Sequence, residues 1–478
     1  MDEMTGRLQH LVVVIPGFGG SVLEDANGSP RWGPGFGDIT RGMVWAGPLS
    51  VSEQPRLAPV GLLPTVTVIP PFVLPGYDRL VRQIEGAFTQ IRVDEVLPGR
   101  DRDPGADVVL FPYDFRLGVR AAAYRLKADI DARLADLTEQ ARSRRVIVVG
   151  HSMGGLVARY WLGPLGGSRV CRGLITVATP HQGVPKAMDW LVNGVRVGRV
   201  ALRRMTEVSR EWPGVYDLLP RYPAVLAPGQ AKGRGRDEPR LLYPLELGGV
   251  LAAGFAARAA DASQAHAEIG EAWRGLAHRP DGPELATIFA RGHATPSRAV
   301  LSGGKLRVTR SDPEWLPNQG WRGDGTVPAI SAIPPERDDD RSAWYPVPER
   351  HLSMASTPAV IELLRFLDGA VPAPPPAERA GQPWIGLELD ETVLPGEPIA
   401  MAAEVLGAAG DAASAWVTVR PAGRAGQPRR YRLSPAGGRW RGVIPARGPG
   451  AYALLVQAMG IPGVGQLRCA EMIGVAGL

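Results

Sequence analysis

The sequence predicts an α/β fold: a mostly parallel sheet flanked by helices and interrupted by a helical insertion, with a small all-β sandwich behind it. Three observations predict it. Short uninterrupted runs of Val, Ile and Leu recur along the first three quarters of the chain, as a sheet buried on both faces requires. Between them lie stretches with apolar residues spaced at three and four, which implies right-handed βαβ crossovers. Beyond residue 383 the texture changes to short alternating segments separated by Gly and Pro turns, the pattern of an antiparallel sandwich.

In chain order, "LVVVIPGFGG" (11–20) reads as a buried strand ending in a glycine loop, and "ADVVLFPYDFR" (106–116), "RRVIVVG" (144–150), "RGLITVATP" (172–180) and "RAVLSGG" (298–304) are further strand candidates. "YDRLVRQIEGAF" (77–88) and "VRAAAYRLKADIDARLADLTEQARS" (119–143) read as helices. Residues 21 to about 75, rich in Gly, Pro and Trp, show no clear period, and 184–296 read as a long, largely helical cap of the kind that covers or gates a site. The expected organisation is a catalytic unit over 1–370, a proline-rich linker over 371–383, and an immunoglobulin-like sandwich over 384–478. Its expected strands include "IGLELD", "AWVTVRP", "RRYRLSP", "GRWRGVIPA" and "AYALLVQAM".

Composition narrows the function classes. At 478 residues the chain exceeds one ordinary domain. Its net charge of +6 comes from scattered arginines, with lysine only at 127, 186, 232 and 305, so no nucleic-acid partner is expected. Cys171 and Cys469 form neither a disulfide framework nor a metal-ligand cluster, and the reading carries no metal and no cofactor. Free thiols suit a reducing compartment. The opening "MDEMTGRLQH" leads into an apolar run of only Leu11 to Ile15, too short for a signal-peptide core or a membrane span, so a cytoplasmic protein is expected.

The chemistry is read from "VIVVGHSMGG" (146–155), which satisfies G-x-S-x-G at Gly150, Ser152 and Gly154. The motif is loose in so glycine-rich a chain, and its context gives it meaning. A strand precedes Ser152 at once, while Met153, Leu156, Val157, Tyr160 and Trp161 fall on one helical face before Gly163-Pro164. Strand, sharp turn and helix make a nucleophile elbow, which lifts a serine hydroxyl above the sheet and aims helix N–H groups at charge forming beside it.

A serine hydroxyl needs a base to take its proton and a carboxylate to orient that base. In α/β-hydrolases the chain order is Ser, Asp or Glu, then His. Of the seven histidines (10, 151, 181, 266, 278, 293 and 351), only His351 follows a late acid loop, "GDGTVPAISA" (323–332), which carries Asp324. His351 also precedes an amphipathic final helix. His181, in "TPHQG", and His151, inside the elbow, read as structural; Asp114, Asp217 and Asp312 are competing acids, with Asp114 expected to pair with Arg116 or cap a turn. Oxyanion donors are expected from the backbone of Met153 and of the loop "PGFGGS" (16–21), at Phe18. That loop is no dinucleotide motif, because Val22 stands where the third glycine belongs, and no P-loop lysine follows.

Taken together, "VIPGFGGSVLE", "FPYDFRLG", "GHSMGGLVARYWL", "TVATPHQGVP", "YDLLPRYP", "GDGTVP" and "HLSM" resemble the lecithin:cholesterol acyltransferase family with its phospholipase members, across about residues 10 to 368. The resemblance implies an α/β-hydrolase core with caps, an acyl-serine intermediate and lipid-ester substrates. It names Ser152 as nucleophile, Asp324 as acid and His351 as base, and aligns the region of Phe18 with the oxyanion loop. Phe115 stands where the family usually has Trp, and the cysteine-closed loops of the secreted animal members have no counterpart.

The expected function is therefore a serine-dependent lipid-ester acyltransferase, or a lipase, esterase or phospholipase, with hydrolase and transferase both open. Residues 195–208, "VRVGRVALRRMTEV", are expected as an ordinary cap helix or as a lid helix in peripheral contact with an anionic membrane. The alternative from another class is a catalytically silent α/β-hydrolase scaffold that binds a ligand or protein.

Overall fold

A computed structural model describes residues 6–33, 46–53, 56–64, 76–197, 200–227, 240–247, 254–276, 279–303, 305–310, 322–371, 383–390, 392–421, 427–445 and 447–475. The expected linker falls almost wholly outside these residues, as do His278 and Asp312.

Among the described residues the main sheet has seven strands: β1 (Leu11–Ile15), β2 (Val93–Glu95), β3 (Val108–Leu110), β4 (Val146–His151), β5 (Cys171–Val177), β6 (Glu284–Ala290) and β7 (Trp344–Val347). They lie in the order β7-β6-β5-β4-β1-β3-β2, every neighbouring pair parallel. Both faces are buried, which is why the strands read as continuous apolar runs. Leu11, Val13, Ile15, Val146 and Val148 enter one core with the helices Gly118–Arg133 and Met153–Leu162. Val12, Val14, Ile147 and Val149 enter the other with the helices Asp78–Ala87 and Pro358–Leu367.

Chain order reverses beside β1. The connection from β1 leads to the β3 side and that from β4 to the β5 side, so the loops after these adjacent strands part and leave a crevice at their carboxyl ends, where α/β proteins seat ligands.

Several expectations change. The segment 298–304 is not a main-sheet strand: Arg298–Ser302 joins a separate four-stranded sheet with Val225–Ala227, Arg240–Leu242 and Lys305–Thr309. The chain returns to the main sheet earlier, at β6, inside the range read as cap, so the excursion from β5 ends by 283 rather than 296. Within it the largest element is the helix Phe255–Leu276. The segment 195–208 is no single helix: Arg196–Val197 and Val200–Ala201 pair as an antiparallel hairpin, and only Arg203–Ser209 is helical. Residues 21 to 62 contain a small sheet, with Ser21–Glu24 between Pro30–Trp32 and Ala58–Leu62.

The C-terminal part is antiparallel apart from one short edge pair, and it has its own apolar core. The strand Arg429–Ala436 pairs through its first half with Ser414–Pro421 and through its second with Arg439–Ile444. This shared strand joins the two faces of the sandwich into one eight-stranded, nearly closed order. The strands Thr392–Val393, Ile399–Leu406 and Gly465–Val475 complete it beside the five the sequence pattern marked.

Candidate active site

Ser152 sits where β4 turns into the helix Met153–Leu162, with φ 50° and ψ −124°, a backbone conformation that costs a non-glycine residue roughly 1–3 kcal/mol. The turn can be this sharp because its neighbours lack side chains. A Cβ on Gly150 would stand 2.7 Å from Gly155 Cα, and one on Gly154 would stand 2.4 Å from the Ile15 carbonyl oxygen. The glycines thus let helix, β4 and the end of β1 meet backbone to backbone.

Three side chains distant along the chain meet above the sheet's carboxyl edge. His351 Nε2 lies 3.1 Å from Ser152 Oγ, and His351 Nδ1 lies 2.7 Å from Asp324 Oδ2. All three residues are buried. The other carboxylate oxygen of Asp324 accepts the backbone N–H groups of Thr326 (2.8 Å) and Val327 (2.6 Å). Burial alone would raise the Asp324 carboxyl; His351 and these N–H donors outweigh it and hold the pKa below its ordinary value. The two loops are also tied by backbone, His351 N–H donating to the Asp324 carbonyl at 3.0 Å. An ionised Asp324 accepting from Nδ1–H leaves Nε2 as the acceptor that faces Ser152.

The glycine loop after β1 abuts the serine: a Cβ on Gly17 would stand 2.9 Å from Ser152 Cβ. Met153 opens the helix, so its N–H belongs to the first turn, whose donors have no intrahelical acceptor. Phe18 packs its ring against Phe115, Trp190 and Trp212 at centroid distances of 4.9, 6.1 and 6.0 Å. This aromatic cluster fixes the loop beside the serine. A cavity of about 130 Å³ opens there. Ser152, His351, Thr326 and Lys186 are polar members of its lining, while Phe18, Leu63, Val184, Trp190, Val215 and Leu218 supply apolar wall.

Other candidates fall elsewhere. His181 lies 2.9 Å from an Arg159 guanidinium nitrogen, and Arg159 also pairs with Glu336. Burial and that arginine push its pKa well below the ordinary value. Asp114 accepts from the Arg116 backbone and guanidinium, both capping a turn and pairing as expected. Asp217 accepts the Val119 N–H at 2.7 Å, in the first turn of the helix Gly118–Arg133.

Two links in the structure have no counterpart among the sequence-based expectations. Gly17 N–H donates to Tyr77 Oη (2.7 Å), Tyr77 O–H donates to His151 Nδ1 (2.9 Å), and His151 Nε2–H donates to the His351 carbonyl (3.2 Å). His151, pushed down to about 3 by burial and the nearby His351, is the neutral ring this relay requires. The elbow histidine thereby joins the glycine loop to the base loop, which refines its structural reading. His293 is the second link: its Nε2–H donates to the Pro348 carbonyl at 2.8 Å. Its place just after a main-sheet strand, in "RGHATPS", was the available signal, masked by the late boundary given to the cap.

Comparisons with known proteins cover part of the chain. The family model "Lecithin:cholesterol acyltransferase" matches residues 101–233, narrower than the span the short motifs suggested. The chain is 28% identical over 189 residues to an uncharacterized protein of Saccharomyces cerevisiae, covering 38% of this chain and 25% of that one. It is also 28% identical over 135 residues to phospholipase A(1) LCAT3 of Arabidopsis thaliana, covering 26% and 30%. It therefore spans about a quarter to a third of the length of the curated relatives it matches. Among solved structures it is similar to Bacillus licheniformis lipase BlEst2. The mature form aligns at 12% identity and TM-score 0.34 over 76% of this chain and 94% of that one. The propeptide form aligns at 10% and 0.35 over 98% and 94%. At so loose a likeness the fold stands on the parallel sheet order and the elbow. Residues 101–233 of this chain match the lecithin:cholesterol acyltransferase family model, and they lie on a sheet with the parallel order and elbow of an α/β-hydrolase fold.

Proposed function

We propose that the chain cleaves or transfers the acyl group of lipid esters through an acyl-Ser152 intermediate, with His351 as base and Asp324 as its orienting acid. The observation that carries this reading is the line of contacts from Ser152 through His351 to Asp324, at 3.1 and 2.7 Å, on the wall of an apolar cavity. The family segment, and the phospholipase name of one relative, support a lipid ester as substrate.

In the proposed reaction Ser152 Oγ attacks the ester carbonyl carbon as its proton passes to His351 Nε2. The carbonyl oxygen becomes an oxyanion held by the N–H groups of Phe18 and Met153, each such donor worth on the order of 3 kcal/mol. The tetrahedral species collapses, the C–O bond to the leaving alcohol or lysolipid breaks, and that oxygen takes the proton from His351. Water or an acceptor alcohol then gives its proton to His351 and attacks the acyl carbon; the bond from that carbon to Ser152 Oγ breaks, Oγ takes the proton back from His351, and free acid or new ester leaves. Asp324 stays ionised and steadies the imidazolium in each half-reaction.

The catalytic unit is assigned to 1–370 and the sandwich to 384–478. Peripheral lipid contact is assigned to the insertion, where Val200, Tyr243 and Leu245 are exposed apolar side chains. A cytoplasmic setting is consistent with the buried free thiols of Cys171 and Cys469. Among the described residues no helix is long and apolar enough to cross a membrane.

The test is product analysis with phospholipid vesicles, with and without a long-chain alcohol. Fatty acid released alone marks a hydrolase; alkyl ester formed at its expense marks a transferase. Neither product from a wild-type protein, or equal product from Ser152→Ala, would overturn the proposal.

A further inference from the structure

The C-terminal sandwich docks on the loops that carry Asp324 and His351. Ala294 N–H donates to the Leu387 carbonyl at 2.9 Å, and Leu387 N–H donates to His293 Nδ1 at 3.1 Å. Through Nε2–H the same ring holds Pro348, three residues before His351. Through its backbone His293 pairs with Gly323, one residue before Asp324. Burial, then Arg350, push His293 down to about 4, so the ring offers one N–H and one lone pair, both engaged.

Arg350, the chain neighbour of His351, is buried, and its guanidinium lies against Gly325, the chain neighbour of Asp324. A Cβ on Gly325 would stand 2.5 Å from Arg350 Nη2, at a backbone φ of +96°. Arg350 Nε lies 3.2 Å from Glu471 Oε2. Glu471 belongs to the last strand of the sandwich, two residues from Cys469 and two from Ile473, so all three side chains point to one face. Its neighbours on that face are buried apolar residues, and Glu471 is 6% exposed. A carboxylate in such a row is costly unless an opposite charge meets it. The charge that meets it comes from the other unit, out of the loop that carries the base.

We propose that the sandwich is a working part of the active site: Glu471, acting through Arg350, and the Leu387 backbone, acting through His293, are positioning groups that hold the acid and base loops in register. This rests on the triad reading, since the register matters to turnover only if Asp324 and His351 act together.

The test compares full-length Glu471→Gln and Glu471→Asp with wild type on a short p-nitrophenyl ester, together with the low-field proton resonance of the His351 Nδ1–H, identified by its loss in His351→Ala. A misplacement near 1 Å costs up to ~100-fold in rate, so kcat should fall about 10-fold or more in Glu471→Gln, with KM within about twofold. Glu471→Asp should recover part of the loss. The resonance should shift or broaden in Glu471→Gln and return in Glu471→Asp. A folded Glu471→Gln protein with wild-type kcat and an unchanged resonance overturns the proposal. Should that variant not fold, Arg350→Gln removes the charge that meets Glu471, and wild-type kcat and resonance there overturn it equally. A wild type without esterase activity defeats the triad reading, while the resonance still judges the positioning.

Discussion

The elbow and the shelf that carries the acid and base make one site in opposite ways. The elbow is built from neighbours in sequence: β4, Ser152 and the helix that follows occupy 146–162, and the close approaches at Gly150, to the helix, and at Gly154, to the end of β1, finish it. The shelf is assembled from afar. His293, Asp324 and His351 come from three loops, and Leu387 and Glu471 reach them from the sandwich. A local turn can be specified by a few residue types at fixed spacing, whereas a long-range register has to be specified by side chains whose partners lie from 27 to more than a hundred residues away.

The largest expected effects break the contrast by removing one chemical group from each half. Ser152→Ala in the elbow and His351→Ala in the shelf should each lower kcat on a p-nitrophenyl ester by about 10⁴-fold or more, while His181→Ala should stay within about tenfold. Steady-state kinetics checks this, and the reverse pattern for the two histidines would move the base to residue 181. Next, the elbow should tolerate no added atom. Gly154→Ala drives a methyl into the Ile15 and Pro16 carbonyls and should cost about 1–3 kcal/mol in denaturant unfolding, as overpacking does.

An effect of similar size sharpens the comparison at the seam between the halves. Tyr77→Phe removes the hydroxyl that accepts from Gly17 and donates to His151, leaving two buried polar groups short of a partner. It should cost about 1–3 kcal/mol of stability by thermal or urea unfolding, with a drop in kcat as the oxyanion loop loosens. A pH effect lies away from both halves. Burial raises Asp217 to about 7, against 3.8 for the free side chain. Between these values the folded protein holds a proton that the unfolded chain has released. Its contribution to stability is therefore full below pH 3.8 and is lost as the pH rises through about 7. Asp217→Asn should flatten that part of the Tm-against-pH curve.

The same contrast explains what the sequence made legible. β1, β3, β4 and β5 were readable because burial on both faces of a parallel sheet leaves continuous apolar runs. The elbow was readable because only glycine fits at 150 and 154. Asp324 and His351 could be picked out by their order and loop setting, and the structure brings both to Ser152. β2 and β7, with three and four residues, are too short to show a period. β6 was hidden because "ELATIFA" follows a long helix and reads as apolar in either state, although Gly282-Pro283 ahead of it marks a break. The roles of Tyr77, His293 and Arg350 had no local signature, since each acts through a partner at least fifty residues away. The sandwich's strands were visible, but its attachment to the acid and base loops follows only from the folded arrangement.

The most direct measurement is covalent labelling of the folded, full-length chain with a fluorophosphonate, followed by mass spectrometry of the adduct. Ser152 activated by His351 and Asp324 predicts a single adduct on the peptide that contains Ser152, absent in Ser152→Ala and formed about 10⁴-fold more slowly in Asp324→Asn. No adduct on the wild type, an adduct on another residue, or equal rates for wild type and Asp324→Asn would contradict it.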